Sequence, residues 1–220
     1  VRFEYASSSS DTDVLKKTEK VSGGAYNLQM SGHTDNLSMK MTYERIGKNF
    51  DSQGNIALLS LKDREGLYFD ATYAVKDYAG IAFAAEGYRN NLEKEAGILT
   101  SQRLSGSLNA DIYASRISPY VPDLNLKYKV IRDASNELAD THIYQQKIES
   151  GNSLMGAGIS YSNGGLNLSL SYQQNDIRDR GKYSSGKTGS DYLITSTFFS
   201  VKTLVLKYAV PSVLYYRTIT

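Results

Sequence analysis

The sequence predicts an all-β fold: an antiparallel up-and-down transmembrane β-barrel with about 11–12 strands visible, forming one domain over residues 1–220. Three observations predict it. Apolar and polar residues alternate with period two along almost the whole chain. Several alternating stretches reach about 9–11 residues, the length a tilted strand needs to cross a bilayer. The connections between them sort regularly into long and short, as in barrels with extended loops at one end and tight turns at the other.

The alternation is explicit. Leu37, Met39, Met41 and Tyr43 oppose Ser38, Lys40, Thr42 and Glu44; Leu67, Phe69, Ala71, Tyr73 and Val75 oppose Tyr68, Asp70, Thr72 and Lys76. Leu104 to Ala114, Leu124 to Val130 and Leu166 to Tyr172 repeat the pattern. Successive strand side chains point to opposite sides, so each stretch has one apolar and one polar face. Eleven strand candidates follow, near 1–7, 24–33, 37–47, 66–76, 80–90, 103–114, 123–133, 152–162, 166–177, 191–201 and 203–209. Only Asn91 to Leu99 hints at a helical turn.

The connections run long (8–23), short (34–36), long (48–65), short (77–79), long (91–102). They continue medium (115–122), long (134–151), short (163–165), long (178–190) and short (202). A soluble sandwich gives no reason for such sorting. With the long loops outside, strand 11 ends outside, whereas a complete barrel has an even strand number with both ends inside. Either Val213–Thr220 forms a twelfth strand after Val210-Pro211-Ser212, or a closing portion lies elsewhere; the second is the expectation. The sequence opens on Val1 with no basic or apolar leader, which leaves open a removed signal peptide and a start inside a longer protein.

Composition agrees. Eighteen Tyr, six Phe and only three Pro suit strands. The absence of Cys excludes disulfides and thiolate metal sites. A net charge of +2 from nearly balanced acids and bases lacks the one-sided field of nucleic-acid binding. The longest apolar runs fall short of the roughly 20 residues of a spanning helix, so any membrane role rests on strands.

The barrel pattern as a whole resembles bacterial outer-membrane β-barrel proteins. A narrower resemblance lies in Tyr43-Glu44-Arg45-Ile46-Gly47, Phe50, Ser52, Gly54 and Asp63-Arg64-Glu65-Gly66. It is similar to a strand-end and loop string of some large, poorly characterised outer-membrane barrels, which reads Tyr-x-Arg-Ile-Gly-Pro followed by Ser-Leu-Gly. Lys48 stands at the Pro and Gln53 at the Leu. This resemblance implies a barrel larger than eleven strands in the outer membrane of a Gram-negative bacterium, and it implies no activity.

Candidate chemistry is sparse. His33 sits beside Thr34-Asp35-Asn36, where turn formation accounts for it. Asp140 and His142 share a long loop, but no nucleophile is singled out among the many serines. No metal-ligand spacing or cofactor motif occurs, and no enzyme activity or cofactor is expected. Asn163-Gly164-Gly165 is a hairpin signal. The residues expected to line a lumen are Lys40, Glu44, Asp70, Glu86, Arg103, Asp111, Lys127, Lys129 and Arg132. They would line a water-filled pore or plug a narrow barrel with ion pairs. Tyr73, Tyr88, Tyr113, Tyr128, Tyr161, Tyr172, Tyr192 and Tyr208 are expected to form an interfacial aromatic girdle.

Three functions follow as expectations. The first is a porin-like channel for small solutes or ions. The second is an assembly barrel that anchors partner proteins through loop residues such as Lys182 and Tyr183. The third is a soluble extracellular β-protein, which the mean hydropathy of −0.41 allows. The expected surroundings are the lipid bilayer and lipopolysaccharide.

Overall fold

The computed structural model describes residues 1–11, 20–50, 63–138, 145–164, 166–183, 189–203 and 212–219. Its strands are β1 (Arg2–Asp11), β2 (Lys20–His33), β3 (Leu37–Ile46), β4 (Arg64–Val75), β5 (Ala79–Asn90) and β6 (Ser101–Ile112). There follow β7 (Asp123–Ser135), β8 (Gln145–Lys147), β9 (Glu149–Asn163), β10 (Leu166–Asp179), β11 (Lys182–Tyr183), β12 (Tyr192–Thr203) and β13 (Ser212–Ile219). Eleven of these form one antiparallel up-and-down sheet, in the order β1-β2-β3-β4-β5-β6-β7-β9-β10-β12-β13; β8 and β11 pair separately. Among the described residues β1 and β13 do not pair with each other, so the sheet is open where a closed barrel was expected.

Ten of the expected strands are present, and most run further toward the long connections than the alternation alone indicated. The eleventh, near 203–209, lies outside the described residues except for Thr203, which ends β12. Ser212–Ile219 does form a strand, antiparallel to β12. Asn91–Leu99 forms no helix. Asn91 and Lys94 take positive φ there, and two successive turns result. The only helical turn among the described residues is Ala114–Arg116, where Ser115 N–H donates to Asp123 Oδ1 at 2.8 Å.

The tight connections 34–36, 76–78 and 164–165 lie at one end of the sheet together with the ten-residue connection 113–122, and the connections 12–19, 47–63, 91–100, 136–148 and 180–191 lie at the other. At the short end Thr34 closes its turn through N–H to Leu37 O at 2.7 Å. Positions 164–165 link β9 to β10, with Gly164 at φ +58°, a left-handed conformation that glycine adopts without steric cost.

Directly paired residues of an antiparallel ladder share a face, so the register fixes both faces across the sheet. One face runs unbroken through Phe3, Leu28, Tyr43, Leu67, Gly87 and Leu104, and through Phe83, Leu108, Tyr128 and Met155. It is apolar from Leu67 to Val75 in β4 and from Leu104 to Ile112 in β6. Nine residues span roughly 27 Å along a strand at about 3.3 Å per step. Above this band, toward the long connections, the same face turns charged along the paired row Arg45, Glu65, Arg89. Arg89 Nε meets Glu65 Oε1 at 2.5 Å.

Among the described residues no second layer covers the apolar face. Among the described residues the buried apolar side chains are Ile46 and Phe50 alone. Leu104 is 60% exposed, Met155 52%, Leu126 51% and Leu67 48%.

Candidate functional site

The polar face gathers the ionisable side chains. Lys40, Glu44, Asp70, Glu86, Arg103, Asp111, Lys127 and Lys129 all fall there, as expected. Arg132 does not. It pairs with Leu104 and Gly151 and shares the apolar face with Leu124, Leu126, Tyr128 and Val130. Even-numbered residues of β7 face that way, and Arg132 has their parity.

The eight differ in how they are satisfied. Arg103 grips Asp133 across β6 and β7 at two points, 2.6 and 2.9 Å. Glu86 accepts from Ser105 Oγ at 3.0 Å, and Asp111 accepts from Asn125 Nδ2 at 2.5 Å. Lys40 stands directly opposite Asp70 in the ladder. Lys127 and Lys129 are flanked by Asn109 and Ser107 on β6 and by Gly156 and Leu154 on β9. Among the described residues Arg103 is the only one of the eight in an ion pair within 4 Å.

Near the long-connection end a further cluster forms. The Arg64 guanidinium lies 4.0 Å from the centre of the Tyr88 ring, and that of Arg103 lies 5.7 Å from it. Arg64 also donates to the Tyr68 hydroxyl. Gly66 lets these rings close over it, because a Cβ there would meet Tyr68 Oη and Tyr88 Cβ at 3.1 Å. Tyr88 therefore lies on the polar face, between Gly66 and Arg103.

Of the other girdle candidates, Tyr73, Tyr128, Tyr161 and Tyr172 lie on the apolar face. Tyr192 pairs with Ile177 on the polar face. Tyr113 follows β6 at the short end, beneath Arg116 at 5.3 Å. Tyr208 lies outside the described residues. The girdle expectation omitted Tyr5, Tyr26 and Tyr43, which sit on the apolar face near its charged margin. The Tyr5 and Tyr26 rings meet at a tilt of 39° with centroids 5.0 Å apart. Their parity with Phe3, Leu28 and Met41 was the signal that marked them.

The long connections are tied to one another. The chain after β3 turns back over the polar face, with Gly47 N–H bonded to Gly24 O at 2.9 Å. A Cβ on Gly23 would lie 2.2 Å from Asn49 C, so only glycine fits beneath. Lys48 pairs with Glu95 in the next long connection. Thr100 N–H donates to Asn136 Oδ1 at 2.7 Å, and Lys182 pairs with Glu137. Lys182 and Tyr183, expected to reach outward, are thus engaged within this layer, Tyr183 through Asp179 at 2.7 Å.

His33 is exposed at the end of β2. Asp140 and His142 lie outside the described residues. Among the described residues no cluster of three potential ligands could hold a metal. The chain matches no known family model, no curated protein and no solved structure.

Proposed function

We propose that this chain forms the wall of a bacterial outer-membrane β-barrel that passes small solutes or ions passively through a polar lumen. The observation that carries this reading is the pairing of an uncovered apolar face, continuous from β1 to β10, with a polar face on which eight of the nine expected lumen residues fall. In water such an apolar sheet face has no stable single-layer solution, whereas lipid covers it without any partner. The scarcity of ion pairs opposite it suits a hydrated interior. In lipid the free edges of β1 and β13 require partners for their N–H and C=O groups, supplied by each other or by further strands.

A second reading is favoured by the linked long connections. A rim held by Lys48–Glu95 and Lys182–Glu137 is a shaped surface on which an assembly barrel could seat partner proteins. Single-channel recording in planar bilayers separates the two. Stable current steps support the channel, and an intact but silent barrel supports the assembly role. Release from membranes without detergent would sink both.

A further inference from the structure

The apolar face bears a notch at the charged margin of its band. Arg132 on β7 and Arg178 on β10 stand in one cross-strand row on either side of Gly151, which has no side chain to fill the space between them. The next row down holds Ser153 and Asp176, and Tyr128 closes the lower side of a cavity of about 220 Å³. Two strand spacings put the arginine backbones roughly 10 Å apart, within reach of one group held between them. Asp176 engages Nε and Nη2 of Arg178, at 3.2 and 2.7 Å, and leaves Nη1 open. Asp191 adds a more distant carboxylate near Arg178. Arg132 is exposed and has no hydrogen-bond or ion-pair partner among the described residues. Elsewhere on this margin Arg89 is neutralised by Glu65. Directly below the notch the surface becomes apolar, with Tyr128 47% and Met155 52% exposed.

We propose that Arg132, Gly151 and Arg178 seat the phosphate of an anionic lipid headgroup on the outward face of the sheet, with its acyl chains lying over Tyr128 and Met155. This rests on the membrane reading above. Guanidinium forks bind phosphate oxygens in pairs, and the apolar surface beneath suits the rest of an amphiphile better than a free anion.

The test uses the full chain inserted into vesicles of phosphatidylcholine, alone or mixed with phosphatidylglycerol. The unfolding midpoint is followed by the heat-dependent shift on gels. We expect phosphatidylglycerol to raise the midpoint by several degrees, and the double variant R132Q/R178Q to lose that increment while keeping its midpoint in phosphatidylcholine. The variant K127Q/K129Q, which removes the same charge from the opposite face, should keep the increment. An increment that survives in R132Q/R178Q, or vanishes equally in K127Q/K129Q, overturns the site. Inorganic phosphate added to phosphatidylcholine vesicles should have no effect; an equal increment from it would overturn the lipid as the source. Failure of the wild-type chain to insert in either vesicle removes the membrane reading itself and the site with it.

Discussion

Arg103 and Asp133 face each other across β6 and β7, with the guanidinium Nε and Nη2 at 2.6 and 2.9 Å from the two carboxylate oxygens. The pair is half-exposed, so its contribution is modest, about 1 kcal/mol. Arg103 is also the cation nearest to Tyr88 after Arg64. The substitution R103E therefore places two carboxylates together and disturbs packing as well as charge. We expect it to lower the unfolding midpoint in detergent, and the double variant R103E/D133R to restore much of it.

Lys127 and Lys129 provide a cleaner probe of the proposed lumen, because uncharged residues flank them on both sides. In a conducting barrel, K127E/K129E should shift permeability several-fold toward cations without changing the unfolding midpoint. Reversal potentials under a salt gradient measure this. An unchanged potential through an open channel would remove both lysines from the lumen.

Asn91 organises the connection after β5. It is 4% exposed, takes φ +50°, donates through Nδ2 to Ile98 O at 3.1 Å and Thr100 Oγ1 at 3.0 Å, and accepts Glu95 N–H at 2.7 Å. Asparagine tolerates the left-handed region better than most residues. N91A loses the bonds and adds strain, and leaves buried backbone groups unsatisfied at about 1–3 kcal/mol. We expect faster proteolysis within 91–100 and little change in hydrogen exchange across β9 and β10.

Gly23 has no room for a side chain beneath Asn49. G23A should push the segment 47–50 off the polar face, break the Gly47–Gly24 bond, and cost about 1–3 kcal/mol. In a channel the same change is expected to alter single-channel conductance; a variant with wild-type conductance and stability would show that this segment is not held there.

The rim is expected to respond to acid. The hydrogen bond from Lys182, and then its charge, hold the Glu137 carboxyl below the ordinary carboxylate range. A carboxylate with a depressed folded pKa stabilises the folded form above its unfolded pKa, and that contribution is lost as pH falls through the folded value. The tie between these two long connections should therefore hold at neutral pH and loosen below the usual carboxylate range. Protease nicking between 136 and 148, followed against pH, reads it. E137Q should be loose at every pH.

Much of this fold was legible in the sequence because period-two alternation is a direct consequence of strand geometry. It placed the strands expected at 66–76 and 103–114 within two residues of Arg64–Val75 and Ser101–Ile112. The same parity, carried one step further along β7, places Arg132 outside the polar set, and along β12 it moves Tyr192 from the apolar face. What could not be read were features made by approach and not by pattern. The β8–β11 ribbon is two and three residues long, too short for any periodicity. The stack of Arg64 on Tyr88 depends on the space above Gly66. The inward turn at Gly47 depends on bare backbone at Gly23.

Each strand of the main sheet pairs only with those adjacent to it in that sheet's sequence order. Within the described sheet no partner has to be fetched from a distant part of the chain, so loop-closure entropy is small at each of these pairings. A sheet wired this way can grow by zippering, one hairpin templating the next, as stacked repeats do. The tight turns at Thr34 and Gly164 are then natural starting points. Damage to one hairpin should halt growth at that place and leave the sheet already formed behind it intact.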